Sequence, residues 1–339
     1  MHASHSQSCC CGVRCLAAGI FALVLVGHPL PARAQYVTGR PPDLPAGFKI
    51  IDADIVVPED FDVYRGTYTT TLWPAGDVPY ELDSSVTSDS SKVDRILLAM
   101  SRWEAVAHVD FVPRSGESDY LYIQVATFNA SEGVGMAGDR HDIWLADWGT
   151  DFHPEHELGH ALAFWHEQSR LDRDTYVEIE WDDIGDLCGS GTDPCDSQFD
   201  YRDAPGGEYG PYDFDSVMHY GECYFVNCTC SSTCRTITVL SPNEAWQTLI
   251  GQRDHLSCWD QLVMSFLYPE SDWVFLDDTY SFFEFGTFLY PFNDFASAEA
   301  ATPAGGTLWI LQPGTYAAVG VHCDAMTIEA PLGGVVLCD

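Results

Sequence analysis

The segment running from His156 to Glu167, HELGHALAFWHE, constrains this chain more than any other. Two histidines four residues apart lie on one face of a helix, because four residues make about one turn. Imidazoles so placed can grip one metal ion, and Glu157 beside the first of them can reach a water at that ion. His166 follows six residues after His160. A catalytic zinc site wants three protein ligands and leaves a fourth position open. His156, His160 and His166 meet that demand, and Glu157 supplies the base for metal-assisted hydrolysis. A helix carrying surface histidines with no metal is the weaker reading of the same residues.

The run from His156 to Asp174, HELGHALAFWHEQSRLDRD, resembles the signature of the astacin family of zinc endopeptidases, a branch of the metzincins. Ser216-Val217-Met218-His219-Tyr220 is similar to the family's Met-turn. Leu72-Trp73-Pro74 with Val78-Pro79-Tyr80 is similar to the start of its mature domain. Phe111-Val112-Pro113-Arg114 with Ser118-Asp119-Tyr120 is similar to its early sheet region. Gly251-Gln252-Arg253, Leu256-Ser257 and Leu267-Tyr268 resemble its C-terminal helix and end. The resemblance covers residues 66 to 270. It implies an α+β fold, a two-subdomain metzincin protease with a cleft, followed here by a small β-rich extension.

The composition is strongly acidic. There are 51 Asp and Glu against 15 Lys and Arg, and Lys49 and Lys92 are the lysines. So acidic a surface repels nucleic acid and anionic membranes. Arg14, the apolar run Cys15 to Gly27 and Ala32-Arg33-Ala34 read as a secretory signal over residues 1–34. The apolar run is short for a membrane span, and no later stretch suits one, so stable membrane insertion is not expected. Nine cysteines follow the signal, at 188, 195, 223, 228, 230, 234, 258, 323 and 338. In an oxidising compartment these should be mostly disulfides. Cys188 and Cys195 can clip one loop, and Cys323 and Cys338 can staple the C-terminal piece. Cys223, Cys228, Cys230 and Cys234 also admit a second zinc site, but disulfides are the preferred reading.

Residues 35–65, Pro-rich and then acidic, read as a propeptide, with Arg65-Gly66 as the bond for an activating protease. Family members keep a Phe-x-Gly-Asp pattern whose aspartate caps the zinc before activation. Ile51-Asp52-Ala53-Asp54 is the nearest match and lacks both the aromatic and the glycine. Asp54 is thus the candidate zymogen ligand, and an ordinary solvated aspartate is the other reading. Val93, Ile96, Leu97, Met100, Trp103 and Ala107 recur at helical spacing. Tyr120 to Val125 reads as a strand. The zinc helix is expected from about Pro154 to Leu162. The resemblance places the strand that pairs with substrate at Asp142 to Ala146. It also implies glycine where this chain has Ala163, so strain is expected there. The family's cysteine before the FVPR run is His108 here. Residues 271–339, with short strands and turns, resemble the opening coil of a parallel β-helix.

The function implied is that of a secreted zinc endopeptidase acting on proteins or peptides. His156, His160 and His166 would hold zinc as neutral imidazoles, and Glu157 would serve as general base. Tyr220 would ligate the resting zinc and then stabilise the oxyanion. Met218 would form an apolar floor, and Glu167 would contact the mature N-terminus without touching metal. Arg170, Asp172, Arg173 and Asp174 read as a structural charge cluster. His141, His153, His219 and His255 lack the ligand spacing. Asn129 and Asn227 lie in glycosylation patterns that a eukaryotic host would use. Two rival functions remain: a catalytically weakened zinc-binding relative working as an extracellular adhesion module, and a zinc hydrolase for other bonds.

Overall fold

The computed structural model describes residues 41–59, 71–146, 148, 152–185, 195–202, 209–317 and 326–338. The signal, the Arg65-Gly66 bond, Cys188 and Cys323 lie outside them. In chain order the elements are β1 (Phe48–Ile51), β2 (Ile55–Pro58), β3 (Asp77–Leu82), α1 (Ser84–Thr87), α2 (Ser90–Glu104), β4 (Asp110–Pro113), β5 (Tyr120–Val125), β6 (Ala130–Glu132), β7 (Arg140–Leu145) and α3 (His153–Ala161). There follow β8 (Val177–Ile179), β9 (Ile237–Val239), α4 (Cys258–Leu267), β10 (Trp273–Leu276), α5 (Phe295–Ala301), β11 (Thr307–Ile310), β12 (Gly314–Ala317), β13 (Thr327–Glu329) and β14 (Val335–Cys338).

Helix α2 starts where the Asp89 side chain accepts the Ser91 amide at 3.0 Å. Its buried residues Ile96, Ala99, Met100 and Trp103 repeat at three and four, which puts one stripe on the core. That stripe packs under a seven-stranded sheet of order β1-β2-β6-β7-β5-β3-β4. Val78, Leu121, Ile123, Ile143 and Leu145 face the same core. A second core gathers Val177, Ile179, Phe199, Tyr212, Tyr220, Ile237 and Val239. The chain therefore has the α+β, two-subdomain architecture, with α3 belonging to the first core and the Tyr220 turn to the second.

The strand that borders the cleft is β6, not the Asp142–Ala146 stretch expected from the sequence. Strand β7 is paired on both sides, parallel to β5 and antiparallel to β6, so it is interior. The outer edge of β6 is taken by β2, in parallel, with Ile55 opposite Ser131. Ala130-Ser131-Glu132 carries neither β-branched residues nor an alternating pattern, so nothing local marks it as a strand. Its pairing with β7 makes it one, reinforced by a buried contact of 2.7 Å between Ser131 Oγ and His141 Nε2.

Four cysteines form two disulfides, Cys223–Cys230 and Cys228–Cys234, so they are not a second zinc site. Cys195 and Cys258 are also disulfide-bonded. The proposed Cys188 and Cys323 pairings involve residues outside those described. Beyond α4 the strands run parallel, β10-β11-β13 in one sheet and β12-β14 in another, as in a β-helix coil. This segment is docked by aromatics. Phe266 of α4 lies 5.4 Å from Phe275, 5.1 Å from Phe288 and 4.8 Å from Trp309, ring centre to ring centre. Among the described residues no helix is long and apolar enough to cross a membrane.

Candidate metal centre

Helix α3 is buried along its whole length from Pro154. Its final carbonyls find donors from far along the chain, as helix ends must. Trp73 Nε1 donates to Ala161 O at 2.9 Å, and Tyr268 Oη donates to Leu162 O at 3.2 Å. The helix can lie this deep because residue 159 is glycine. A Cβ there would stand 2.9 Å from Met218 Sδ and 3.4 Å from the Trp103 ring. Met218 thus packs directly beneath the histidine helix.

After the helix the chain turns at Ala163, whose φ is 99°. Ala163 N donates to His160 O and Phe164 N to Gly159 O, each at 2.9 Å, which closes the helix end. A Cβ in this left-handed region costs about 1–2 kcal/mol. Glycine relieves that cost but adds unfolded-state entropy. We expect Ala163→Gly to raise stability by about 0.5–1 kcal/mol, or roughly 2–3 °C in melting temperature. A lower melting temperature for the variant would contradict the strain.

The turn delivers His166 to the other two histidines. The ring centres of His156, His160 and His166 lie 4.6 to 5.3 Å apart. Asp54, at the tip of the β1–β2 hairpin, points at all three. Its carboxylate oxygens lie 3.2 Å from His156 Nε2, 3.4 Å from His160 Nε2 and 3.2 Å from His166 Nε2. One donor atom from each of the four residues falls within 4.8 Å of the others.

The donors suit a cation. His156 Nδ1 faces Val217 O and His160 Nδ1 faces Phe164 O, both at 2.7 Å. A carbonyl can only accept, so each Nδ1 carries the hydrogen and each Nε2 presents a lone pair to the cluster. His160 Nε2 and Asp54 Oδ1 are buried without a hydrogen-bond partner. Burial, with Arg253 adding to it, pushes the His156 imidazole well below its usual range, against the pull of Asp54. Buried nitrogens and an oxygen with unshared lone pairs converging on one point fit zinc.

Glu157 is buried and its Oε2 lacks a hydrogen-bond partner. Burial, then the charge of Asp54, pushes its carboxyl well above the usual range, with Arg253 opposing. The Tyr220 ring lies 4.6 Å from that of His166, and its buried hydroxyl is also without a partner. Glu167 turns away from the histidines. Its Oε1 accepts the Asp213 amide at 2.8 Å and meets Arg170 at 3.3 Å. It lines a cavity of about 140 Å³ with Leu72, Asp213, Asp260 and Leu289. Burial lifts the Glu167 carboxyl to about 8 despite Arg170.

The Met-turn is held from α4. Asp260 closes a capping box with Ser257, accepts Ser216 Oγ at 2.6 Å and accepts Val217 N at 2.9 Å. The histidines set aside by spacing lie elsewhere: His141 Nε2 on Ser131, His219 Nε2 on Tyr212 Oη at 2.8 Å and His255 Nε2 on Asp215 at 2.9 Å. Arg170 bonds Asp172 through two nitrogens at 2.8 Å, and Arg173 lies 3.4 Å from Asp174, as a charge cluster would. Asp52, Gln198, Arg202 and Arg253 were not singled out by sequence. Asp52, two residues before Asp54, and Arg253, in the Gly251-Gln252-Arg253 run, lay in stretches the resemblance had marked; Gln198 and Arg202 carried no signal.

The family model described as Astacin, a peptidase family, matches residues 66–269. The chain belongs to the astacin family. That stretch is a zinc metalloendopeptidase domain of the astacin kind. Among relatives, the chain is 32% identical over 270 residues to meprin A subunit beta of Rattus norvegicus, covering 74% of this chain and 35% of that one. It is 31% identical over 230 residues to the low choriolytic enzyme of Oryzias latipes, covering 65% and 78%. The chain thus spans about a third of the meprin's length. Among solved structures, it is similar to high choriolytic enzyme 1, a hatching enzyme zinc-protease from Oryzias latipes. There the TM-score is 0.49 at 29% identity, with 61% of this chain and 98% of that one covered.

Proposed function

We propose that this chain is a secreted zinc endopeptidase made as a latent precursor, with residues 1–34 its signal, 35–65 its propeptide and 66–270 its catalytic domain. The observation that carries this reading is the convergence of His156, His160, His166 and Asp54 within 4.8 Å. The three histidines would hold zinc, and Asp54 would take the remaining position until the hairpin leaves. When bound, zinc supplies Lewis-acid chemistry for attack of water on a peptide carbonyl. Glu157 accepts the proton of the attacking water and passes it to the leaving nitrogen. Tyr220 donates its hydroxyl to the oxygen on which negative charge develops. A substrate's main chain pairs with the edge of β6 that β2 now covers.

Cleavage at Arg65-Gly66 then creates a new N-terminus just upstream of Leu72. The nearby cavity of about 140 Å³ has Glu167, Asp213 and Asp260 in its wall beside Arg170 and Arg202, and these carboxyl groups would receive the new ammonium group. Casein digestion tests this reading. The precursor should be silent, and the form beginning at Gly66 should cleave in a chelator-sensitive way. A matured, zinc-loaded chain that cleaves nothing would overturn it in favour of a binding module. N-terminal sequencing of the secreted protein that finds a start upstream of Asp54 would overturn the role given to Asp54.

A further inference from the structure

We propose that Asp52 is a second anchor of the latent hairpin, acting through a buried ion pair with Arg202 independently of the contact between Asp54 and the histidines. The inference rests on reading the hairpin as a propeptide. Its tip, Asp52-Ala53-Asp54, puts two successive residues in the left-handed region, with φ of 48° at Asp52 and 65° at Ala53. Neither is glycine, so this tip must be held from outside. Asp52 is fully buried. Its Oδ2 lies 3.0 Å from Arg202 Nε, and both its oxygens lie 3.4 Å from Ser169 Oγ. It also comes within 3.9 Å of His166 Nδ1. The next amide, Ala53 N, donates to Gln198 Oε1 at 2.6 Å.

Arg202, Gln198 and Ser169 all follow the zinc helix, on the far side of the cleft from the sheet. The other flank of the tip is fixed to that sheet, where Ser131 N donates to Asp54 O at 2.8 Å. The hairpin therefore straddles the cleft and is gripped on both walls. Removing one partner of a buried ion pair leaves the other charge without its compensation. Arg202 also meets Asp200, at 4.0 Å. Asp54 alone would make latency depend on the metal. With Asp52 the hairpin stays seated when the metal is gone.

Hydrogen exchange on the full-length precursor tests this, in zinc-loaded and metal-free form, reading the amides of residues 48–57. In the metal-free chain, Asp52→Asn and Arg202→Met should each raise exchange there by about tenfold or more, and the double variant by no more than either alone. Asp54→Asn should leave the metal-free hairpin protected within about threefold. Protection of β5 and β7 amides reports whether a variant is folded. Where Arg202→Met unfolds the chain, Arg202→Lys, which keeps the charge but loses the Nε contact, should give a smaller rise in the same amides. Unchanged hairpin exchange in folded Asp52→Asn, additive effects in the double variant, or opening by Asp54→Asn alone would overturn the proposal. None of these readouts depends on peptidase activity, so failure of the functional reading is recognised separately.

Discussion

Glu157→Gln will lower casein cleavage by the matured chain by about 10²- to 10⁴-fold, the range a positioned general base contributes. Glutamine keeps the volume and the planar group of a residue that is 1% exposed, so the helix should pack as before. It loses the capacity to take a proton. Zinc content should stay at that of the unaltered chain, because Glu157 is not among the converging donors. Rate and metal content measured on the same sample separate the two roles. Wild-type cleavage by the variant would remove Glu157 from the mechanism. Loss of zinc together with activity would make it a ligand or a structural residue instead.

Gly251→Ala will destabilise the protein by about 3 kcal/mol or more, at the upper end of the usual range for point substitutions. Residue 251 has φ of 80°, and a Cβ there would lie 2.3 Å from Gly221 N, 2.4 Å from Gly221 Cα and 2.9 Å from Tyr220 C. These are backbone atoms, which cannot swing aside as the end of a side chain can. The left-handed backbone alone costs about 1–2 kcal/mol for alanine, and the collision adds to it. For a domain of this size the melting temperature should fall by about 6–12 °C. Because the displaced segment carries Tyr220, cleavage should fall further than the remaining folded fraction explains. An unaltered melting curve would mean that the 220–221 backbone yields freely, and would weaken the role given to Tyr220.

The zinc helix was legible because its constraint is local: two imidazoles must share a face, and the sequence displays that as a spacing of four. Helix α2 was legible because its apolar residues repeat with the helical period, and strand β5 because its residues are largely β-branched and aromatic. The edge strand was not. Ala130-Ser131-Glu132 owes its conformation to β7 on one side and to the hairpin on the other, and neither neighbour leaves a mark on three small or polar residues. The Asp52–Arg202 pair joins residues 150 positions apart, each ordinary in its own surroundings. The cavity beside Glu167 is likewise built from distant segments, with Leu72 between β2 and β3, Asp213 and Asp260 near the Met-turn, and Leu289 from the C-terminal segment. That segment was read as an appended coil. Its parallel strands fit such a coil, but Phe266, Phe275, Phe288 and Trp309 join it to α4 through one aromatic cluster. Side chains that matter by where they meet are invisible until the chain is folded.

The strain at Ala163 shows how departures from a family pattern combine with geometry. The sequence offers alanine where the resemblance implies glycine, and the backbone keeps its left-handed turn at φ 99° all the same. Zinc binding to small structural sites contributes about 10–16 kcal/mol, far more than the turn costs. His166 reaches the other histidines across this turn, and zinc, where bound, would outweigh the strain. The contact at His108 is a parallel case. Where the family has a cysteine, this residue meets Glu270 at 3.3 Å, an exposed contact that cross-links less firmly than a disulfide.

The most direct test of the central claim is a zinc titration of the matured, metal-stripped chain, reading bound zinc and casein cleavage together. The account predicts that activity rises in proportion to bound zinc and saturates at one ion per chain, and that His160→Ala neither retains that ion nor recovers activity. Full cleavage by the stripped chain, or one tightly held zinc in the His160→Ala chain, would contradict it.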